Sequence, residues 1–150
     1  GKLLRAHAQS DAERQYATQL AKLRFAPLRG FLRGFIDLVA EHAGRYYVLD
    51  YKSNRLGETA RDYQRAQLEV EMHRHHYTLQ YLLYTVAVHR YLTLRLPDYD
   101  YDNHFGGVYY LFVRGMSTRH EPGSGVLFER PARALIEQLS ALLSNAEVSA

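Results

Sequence analysis

The chain has 150 residues, of which 47% are hydrophobic, so it is long enough for one domain with its own core. Its formal net charge of +3 is compatible with binding nucleic acid but does not by itself indicate it. It contains no Cys, which excludes disulfides and Cys-based zinc sites. With no visible signal peptide or bilayer-spanning run, we expect a cytoplasmic protein with no membrane partner. The missing initial Met predicts a segment of a larger protein.

The first part of the chain is predicted to be helical from Gly1 to Lys22, because its apolar residues recur at helical spacing. Pro27 ends this region, since proline disfavours helix at the residue before it. Phe25 to Leu28 is predicted to start a short strand.

The stretch that follows predicts a β-hairpin. Two apolar, strand-like runs, Leu32–Ala40 and Tyr46–Tyr51, flank a turn centred on Ala43 and Gly44. A two-residue loop and a four-residue loop give the same pairing, in which Glu41 faces Tyr46 and Val39 faces Val48.

In the same pairing Asp37 faces Asp50, and Lys52 shares their face because side chains alternate along a strand. Two opposed carboxylates repel unless a cation lies between them. Hard divalent ions such as Mg²⁺ take carboxylate oxygens. The pattern therefore favours a metal site with a lysine beside it, and the alternative is a solvent-facing strand surface that carries these charges.

A polar segment follows the hairpin. Thr59 is predicted to cap a helix from Ala60 to Met72 that faces solvent or DNA, since most of its residues are polar. The next four residues, His73 to His76, are basic. Without Cys and without a separated second ligand pair, they favour a solvated helix junction near phosphate over a zinc site.

The segment from Tyr77 to Leu94 is predicted to be the main core helix, because it is apolar nearly all round. Gln80 and Tyr84 are four residues apart and share one face of it. From the spacing alone, the preferred interpretation is a pair that lines the core with a polar edge.

The rest of the chain alternates loops with short elements. Asp98, Asp100 and Asp102 lie in a segment, Arg95 to Gly107, that is predicted to be a solvated loop, since it lacks the Gly and terminal Glu of a calcium loop. The further predicted elements are a buried strand Val108–Val113, a turn region Met116–Gly125, a strand Val126–Phe128 and a helix Ala132–Leu143 opened by Pro131.

Three motifs in order, GFID, VLDYKSN and HYTLQYLLY, resemble those of RecB-like nucleases in the PD-(D/E)xK nuclease superfamily. The resemblance runs from about Leu28 to Arg130 and is especially close in GRYYVLDYKSN and HFGGVYYLFVRG. It implies an α/β fold with a restriction-endonuclease-like core, a central mixed β-sheet flanked by helices. One nuclease domain is then expected over residues 1–150, with a helical lead-in (1–26), a nuclease core (28–130) and a C-terminal helix and tail (131–150).

The resemblance also implies a function and roles for site residues. The expected activity is Mg²⁺-dependent hydrolysis of DNA, with Mn²⁺ as a substitute, in a RecBCD-type helicase–nuclease that acts in double-strand break repair and recombination. Asp37, Asp50 and the Tyr51 carbonyl are the implied metal ligands, and Lys52 completes the catalytic group. Gln80 and Tyr84 match the family's Q-x-x-x-Y pair and are expected to position Lys52 or the substrate.

The chain departs from the family pattern in two places. Ile36 replaces the proline of the idealised motif, as in many RecB-like members. RecB-like nucleases also carry a metal-ligand His or Glu upstream, and neither His7 nor any other residue in Gly1–Phe31 lies in a matching pattern. We therefore expect a domain truncated at its N-terminal side. The alternatives are a catalytically incompetent DNA-binding module of the same fold and a domain that docks on other subunits of the helicase complex.

Overall fold

The computed structural model describes residues 1–22 and 34–148, with side chains described up to residue 144. The chain forms two compact units, of which one comprises residues 1–33 and 132–150 and the other residues 34–131. Each unit is described by itself. The single-domain interpretation stays a prediction, and the predicted strand start at Phe25–Leu28 lies outside the described residues.

The second unit is built on a four-stranded mixed sheet in which the strands lie side by side in chain order. Its strands are β1 (Leu38–His42), β2 (Arg45–Lys52), β3 (Phe105–Phe112) and β4 (Val126–Glu129). The central pair β2 and β3 is parallel, and each outer strand runs antiparallel to its neighbour. The predicted α/β class with a central mixed sheet is confirmed.

The hairpin pairing predicted from the sequence is confirmed, with Val39 opposite Val48 and Glu41 opposite Tyr46. Ala43 and Gly44 both have positive φ, 50° and 74°, as in a two-residue type I′ turn, whose twist matches that of the strands. The predicted start of the first strand is wrong in the described part, because Gly34 to Asp37 are not in a strand and β1 begins at Leu38.

The connection from β2 to β3 is helical, which is the usual form of the long crossover that parallel strands require. It contains a 3₁₀ turn (Ala60–Tyr63), α3 (Arg65–Arg74), α4 (Tyr77–Arg95) and a one-turn helix, α5 (Tyr101–His104). Helix α4 confirms the predicted core helix to within one residue. The predicted helix Ala60–Met72 is instead divided at Gln64, whose backbone is extended.

Helix α3 is less exposed than its polar composition predicts, because Leu68 and Met72 are fully buried. The predicted loop from Arg95 to Gly107 is also wrong in part. Asp100 caps α5 by accepting from the Asn103 backbone N–H at 2.9 Å, and β3 begins at Phe105. Thus one of the three aspartates, Asp100, is a helix cap.

The core of this unit lies on the sheet face that carries Val48, Val108, Tyr110 and Phe112, all of them buried. Leu82, Val86 and Leu92 of α4 are buried too, and Tyr77 and Tyr81 bring the first turns of α4 against Tyr110. This face of β2 and β3, together with the first turns of α4, positions the candidate site.

The first unit contains α1 (Lys2–His7), α2 (Asp11–Lys22) and α6 (Arg133–Val148). The predicted helical region is broken at Ala8–Ser10, where a reciprocal cap forms: Ser10 Oγ accepts from the Glu13 N–H, and Glu13 accepts from the Ser10 N–H. His7 lies within this unit, with its Nε2 3.3 Å from Gln138 Oε1. None of the helices in the described ranges is long and apolar enough to cross a membrane.

Candidate active site

The centre of the site is a buried ion pair near the end of β2. Asp50 and Lys52 are two residues apart, so their side chains leave the strand on the same face. Lys52 Nζ lies 2.5 Å from Asp50 Oδ1, and the two side chains are only 12% and 4% exposed. Within the described part of the chain, Asp50 Oδ1 has no hydrogen-bond partner besides this ammonium. Asp50 therefore depends on a neighbouring positive charge.

Burial raises the pKa of Asp50 above its ordinary value, because removal from water disfavours the charged form. Lys52 opposes this shift, and the negative charge of Asp37 adds to it as the smallest contribution. Repulsion between the two carboxylates thus acts in the same direction as burial. The main cause of the raised pKa is burial.

Asp37 stands at the position immediately before β1, opposite Asp50 if the hairpin register is continued. Its Oδ2 accepts a hydrogen bond from the Tyr51 backbone N–H at 2.9 Å. The Asp37 carboxylate thus accepts from a backbone N–H of β2 just beyond the last backbone pairing between β1 and β2. Asp37 is exposed and Asp50 is buried, so the two carboxylates differ in their access to solvent.

Gln80 and Tyr84 of α4 reach the same face of the sheet. Gln80 Oε1 accepts from Lys52 Nζ at 3.1 Å, and Gln80 Nε2 donates to the Tyr84 hydroxyl at 2.9 Å. This orientation of the Gln80 amide agrees with its hydrogen bonds, since both contacts of Oε1, from Lys52 Nζ and the Tyr110 hydroxyl, come from donors. The Tyr84 pKa is raised, first by burial and then by the charges of Asp50 and Asp37. The structure thus links Gln80 directly to Lys52, and Tyr84 to Lys52 through Gln80.

Two tyrosines that the sequence interpretation did not single out complete the surroundings of Lys52. Its ammonium lies 4.0 Å from the Tyr77 ring centroid and 5.1 Å from that of Tyr110. The Tyr110 hydroxyl donates to Gln80 Oε1 at 3.0 Å, and burial raises the Tyr110 pKa, so this hydroxyl stays protonated. Tyr77 was detectable, because it lies three residues before Gln80 on one helix face. Tyr110 was not, because it depends on the β2–β3 register.

The residues after Lys52 are held by side chains from distant elements. Arg114 Nε donates to the Ser53 carbonyl at 2.8 Å. Asn54 donates to Glu71 Oε1 at 2.9 Å and accepts from the Tyr77 hydroxyl at 3.3 Å. These hydrogen bonds hold Ser53 and Asn54, the two residues that follow Lys52, and so stabilise the position of Lys52.

The basic cluster predicted at His73–His76 forms the junction between α3 and α4. His75 Nε2 lies 3.0 Å from Glu71 Oε1, and the His75 ring stacks on Tyr77. His76 has φ of 56°, a left-handed conformation that turns the chain into α4. Across residues 1–22 and 34–148, no group of three or more His, Asp or Glu side chains is arranged to hold a metal ion. Any metal at Asp37 and Asp50 would need further oxygen donors.

A mixed sheet that carries Asp before one strand and Asp-x-Lys at the end of the next has the arrangement of the D…DxK nucleases. The chain belongs to the PD-(D/E)XK nuclease superfamily, whose family model matches residues 2–148. This match covers nearly the whole chain, including the helices of the first unit.

Three relatives show which branch of the superfamily the chain resembles. It is 51% identical over 123 residues to the RecBCD enzyme subunit RecB of Escherichia coli K12, which covers 82% of the chain and 10% of that protein. The corresponding protein of Haemophilus influenzae is 53% identical over 117 residues (78% and 10%). That of Mycobacterium tuberculosis H37Rv is 45% identical over 154 aligned positions (97% and 14%). The chain thus spans about a tenth of the length of these relatives.

Proposed function

We propose that the chain is a divalent-metal-dependent deoxyribonuclease domain that hydrolyses phosphodiester bonds of DNA. The observation that carries the proposal is the buried Asp50–Lys52 pair with the Asp37 carboxylate near enough to influence the Asp50 charge. A structural strand face has no need of the buried Asp50–Lys52 pair, since burying two charges costs free energy, nor of a second carboxylate placed beside it.

The donor set fits a hard divalent ion such as Mg²⁺, with Mn²⁺ as a substitute. Mg²⁺ is typically held by one or two carboxylates, with water and substrate phosphate filling the other positions. Asp37 and Asp50 would supply these carboxylates. A strand residue directs its N–H and C=O to the same neighbour, so the Tyr51 carbonyl is expected on the Asp37 side, where it can add a third oxygen. When bound, the ion polarises the scissile phosphate and lowers the pKa of a water molecule.

The remaining roles follow from the contacts of Lys52. Its ammonium is a compact positive charge that can stabilise negative charge developing on the phosphate or orient the attacking water. Gln80 and the rings of Tyr77 and Tyr110 restrict the ammonium to one place. Such restriction reduces the reorganisation that the transition state requires. Gln80 and Tyr84 are thus assigned to positioning.

The similarity to RecB subunits supports a biological setting. We place the chain in a RecBCD-type helicase–nuclease, acting on DNA in the cytoplasm during double-strand break repair and recombination, with the other subunits of that complex as protein partners. The alternative is a domain of the same fold that binds DNA or docks on subunits without cleaving.

A cleavage assay with linear DNA and Mg²⁺ separates these functions. Asp50→Asn and Lys52→Met should each reduce cleavage at least about 100-fold, the usual cost of removing a transition-state charge partner. Asp98→Asn, which changes an exposed carboxylate, is the matched control and should cleave like the parent. In the longer parent protein, Asp50→Ala should abolish cleavage and leave ATP-driven unwinding intact.

Cleavage by Asp50→Asn at the parental rate would refute the assigned mechanism. If the unsubstituted chain and the longer protein both bind DNA but neither cleaves it, the non-catalytic alternative is favoured. Chelation of divalent ions with EDTA should stop cleavage by the parent and leave its fold unchanged by circular dichroism.

A further inference from the structure

A cavity lies beside the candidate active site, at the end of β2 and β3 beyond Lys52. Its volume is about 280 Å³, and its lining residues are mostly polar or charged: Arg55, Gly57, Glu58, Thr59, Tyr63, Arg114 and His120. Pockets that enclose a whole drug-sized molecule usually have about 300–1,000 Å³. This cavity lies just below that range and has room for a group the size of a phosphate, and its three basic side chains indicate an anion.

The basic groups converge from three separate parts of the chain. Arg55 comes from the loop after β2, Arg114 from the 3₁₀ turn after β3 (Val113–Gly115), and His120 from the loop before β4. Arg114 uses Nε to hold the Ser53 carbonyl at 2.8 Å, which keeps its guanidinium at the cavity. An anion there would meet donors that the fold has already positioned.

Two uncharged or weakly basic groups add to the donors. His120 Nδ1 donates to the Gly115 carbonyl at 2.9 Å, which fixes the ring, so Nε2 donates to an anion only when the imidazole is protonated. Tyr63 is buried, and its hydroxyl oxygen accepts from the Leu56 N–H at 3.2 Å, so that the hydroxyl proton can be donated to an anion. Both residues are held by backbone groups, which reduces the entropy lost on binding.

Glu58 is the acidic member of the lining and forms an ion pair with Arg55. The two arginines and Glu58 together leave the cavity one positive charge. Glu58 is exposed, so it can turn to solvent when another anion takes its place beside Arg55. In the free chain Glu58 therefore acts as an internal substitute for the anion.

The cavity also has a defined relation to the catalytic residues. Arg114 holds Ser53, and Ser53 directly follows Lys52. A DNA strand whose scissile phosphate lies at Lys52 would bring a neighbouring phosphate within reach of the cavity, since successive phosphates are bonded through one nucleotide. Contacts to phosphate fix the register of a strand without reading its sequence.

We propose that this cavity is a second phosphate site, which binds a non-scissile phosphodiester of the DNA strand and sets its register relative to Lys52. The inference rests on the proposed function, because the ligand is the DNA on which the nuclease acts. Arg55 and Arg114 supply the charge, the Tyr63 hydroxyl adds a donor, and His120 adds another when its ring is protonated.

DNA binding by the chain, measured by fluorescence anisotropy in EDTA at several salt concentrations, tests the site. Each phosphate contact contributes about 0.7 to 0.9 to the slope of log K against log salt, or about five- to eightfold in affinity at 0.1 M salt. Arg114→Gln should lose one such contact. The matched control is Arg119→Gln, an exposed arginine of the same loop region that does not line the cavity and should lose much less.

Two further variants separate charge from structure. Arg114→Lys keeps the charge without the Nε contact to Ser53, so it should retain most of the slope. Glu58→Gln removes the competing carboxylate and should tighten binding several-fold, whereas Glu121→Gln, an exposed acid outside the cavity, should change it little. Equal effects within each pair would show only general electrostatic attraction and would overturn the proposal.

The register is tested with oligonucleotides in which one phosphodiester at a time is replaced by an uncharged methylphosphonate. One linkage near the scissile bond should weaken binding by the parent chain and have no further effect on Arg114→Gln. Inorganic phosphate, titrated as a competitor, shows whether the site also accepts a free anion. If every linkage acts equally on both proteins, the second site is refuted while cleavage remains intact. If the parent neither binds nor cleaves DNA, the proposed function and this inference both fail.

Discussion

Replacement of Lys52 by Met should destabilise the chain, because it leaves the buried Asp50 carboxylate without its cation. The two side chains are 12% and 4% exposed, so solvent screens the pair poorly. Removing one partner of a buried ion pair costs about 3–5 kcal/mol. Met keeps most of the apolar stem beside Tyr77, and Asp50 can respond by taking up a proton. We therefore expect the lower end, about 3 kcal/mol at neutral pH.

The pH dependence of this loss has a definite sign. The Asp50 pKa is already above its ordinary value, and Lys52 is what lowers it. Without Lys52 the pKa of Asp50 rises further. At pH values between the ordinary pKa of an Asp and this raised pKa, the folded variant therefore binds more protons than the unfolded chain. Stability then increases as pH falls through the raised pKa, by up to about 1.4 kcal/mol per pH unit. The loss should be largest near pH 7.5 and shrink toward pH 5.

Urea denaturation in EDTA, followed by circular dichroism at both pH values, measures these free energies. The double variant Asp50→Asn/Lys52→Met has neither charge and should lie within about 1 kcal/mol of the parent, since neutral replacement of a buried pair is often tolerated. Lys2→Met removes an exposed lysine and should shift stability by no more than about 0.5 kcal/mol.

Three outcomes would refute the reasoning. One is a loss below about 1 kcal/mol for Lys52→Met at pH 7.5, which would be too small for a broken buried pair. Another is an equal loss at both pH values, and the third is a double variant as unstable as Lys52→Met. The first outcome would mean that water reaches Asp50 far more freely than its 3% exposure indicates. The other two would mean that the loss comes from the packing and hydrogen bonding of Lys52 and not from an unpaired Asp50 charge.

Two other substitutions test the packing around the site by urea denaturation. Tyr110→Phe removes the hydroxyl that donates to Gln80 at 3.0 Å, so it should lower the free energy of unfolding by about 0.5–1.5 kcal/mol and slow DNA cleavage. The control Tyr109→Phe, on the opposite sheet face, should change neither quantity. Equal effects of the two variants would exclude a role for the hydrogen bond from Tyr110 to Gln80. Gly125→Ala places a Cβ 2.7 Å from the Phe112 carbonyl oxygen at φ of 76° and should cost clearly more than Gly123→Ala, where φ is 87° and the space is open. Gly123→Ala is the control, because it has only the cost of the left-handed conformation, about 1–2 kcal/mol. Equal losses of stability in the two variants would show that the backbone moves to remove the close contact between the new Cβ and the Phe112 carbonyl oxygen.

The residues that form local structure were predictable because their signals are short-range. The Ala43-Gly44 turn and the alternating strands were enough to predict the hairpin register, and the register placed Asp50 and Lys52 on one face. Helix α4 was predictable from its length and apolar content. The predictions were wrong where a single residue changes the local structure that the surrounding composition suggests. Gln64 divides the predicted polar helix, and Asp100 caps α5 inside the predicted loop.

By itself, therefore, the sequence determined the hairpin, the core helix and the adjacency of Asp50 and Lys52, since strand alternation and helical periodicity depend only on near neighbours. Only the tertiary structure decided what surrounds them. The parallel pairing of β2 with β3 sets Tyr110 beside Asp50, and the docking of α4 sets Gln80 and Tyr77 on Lys52. The same pairing brings Arg114 to Ser53, about 60 residues away in the chain. Such contacts depend on which strands pair across a long connection, and no local period encodes that choice.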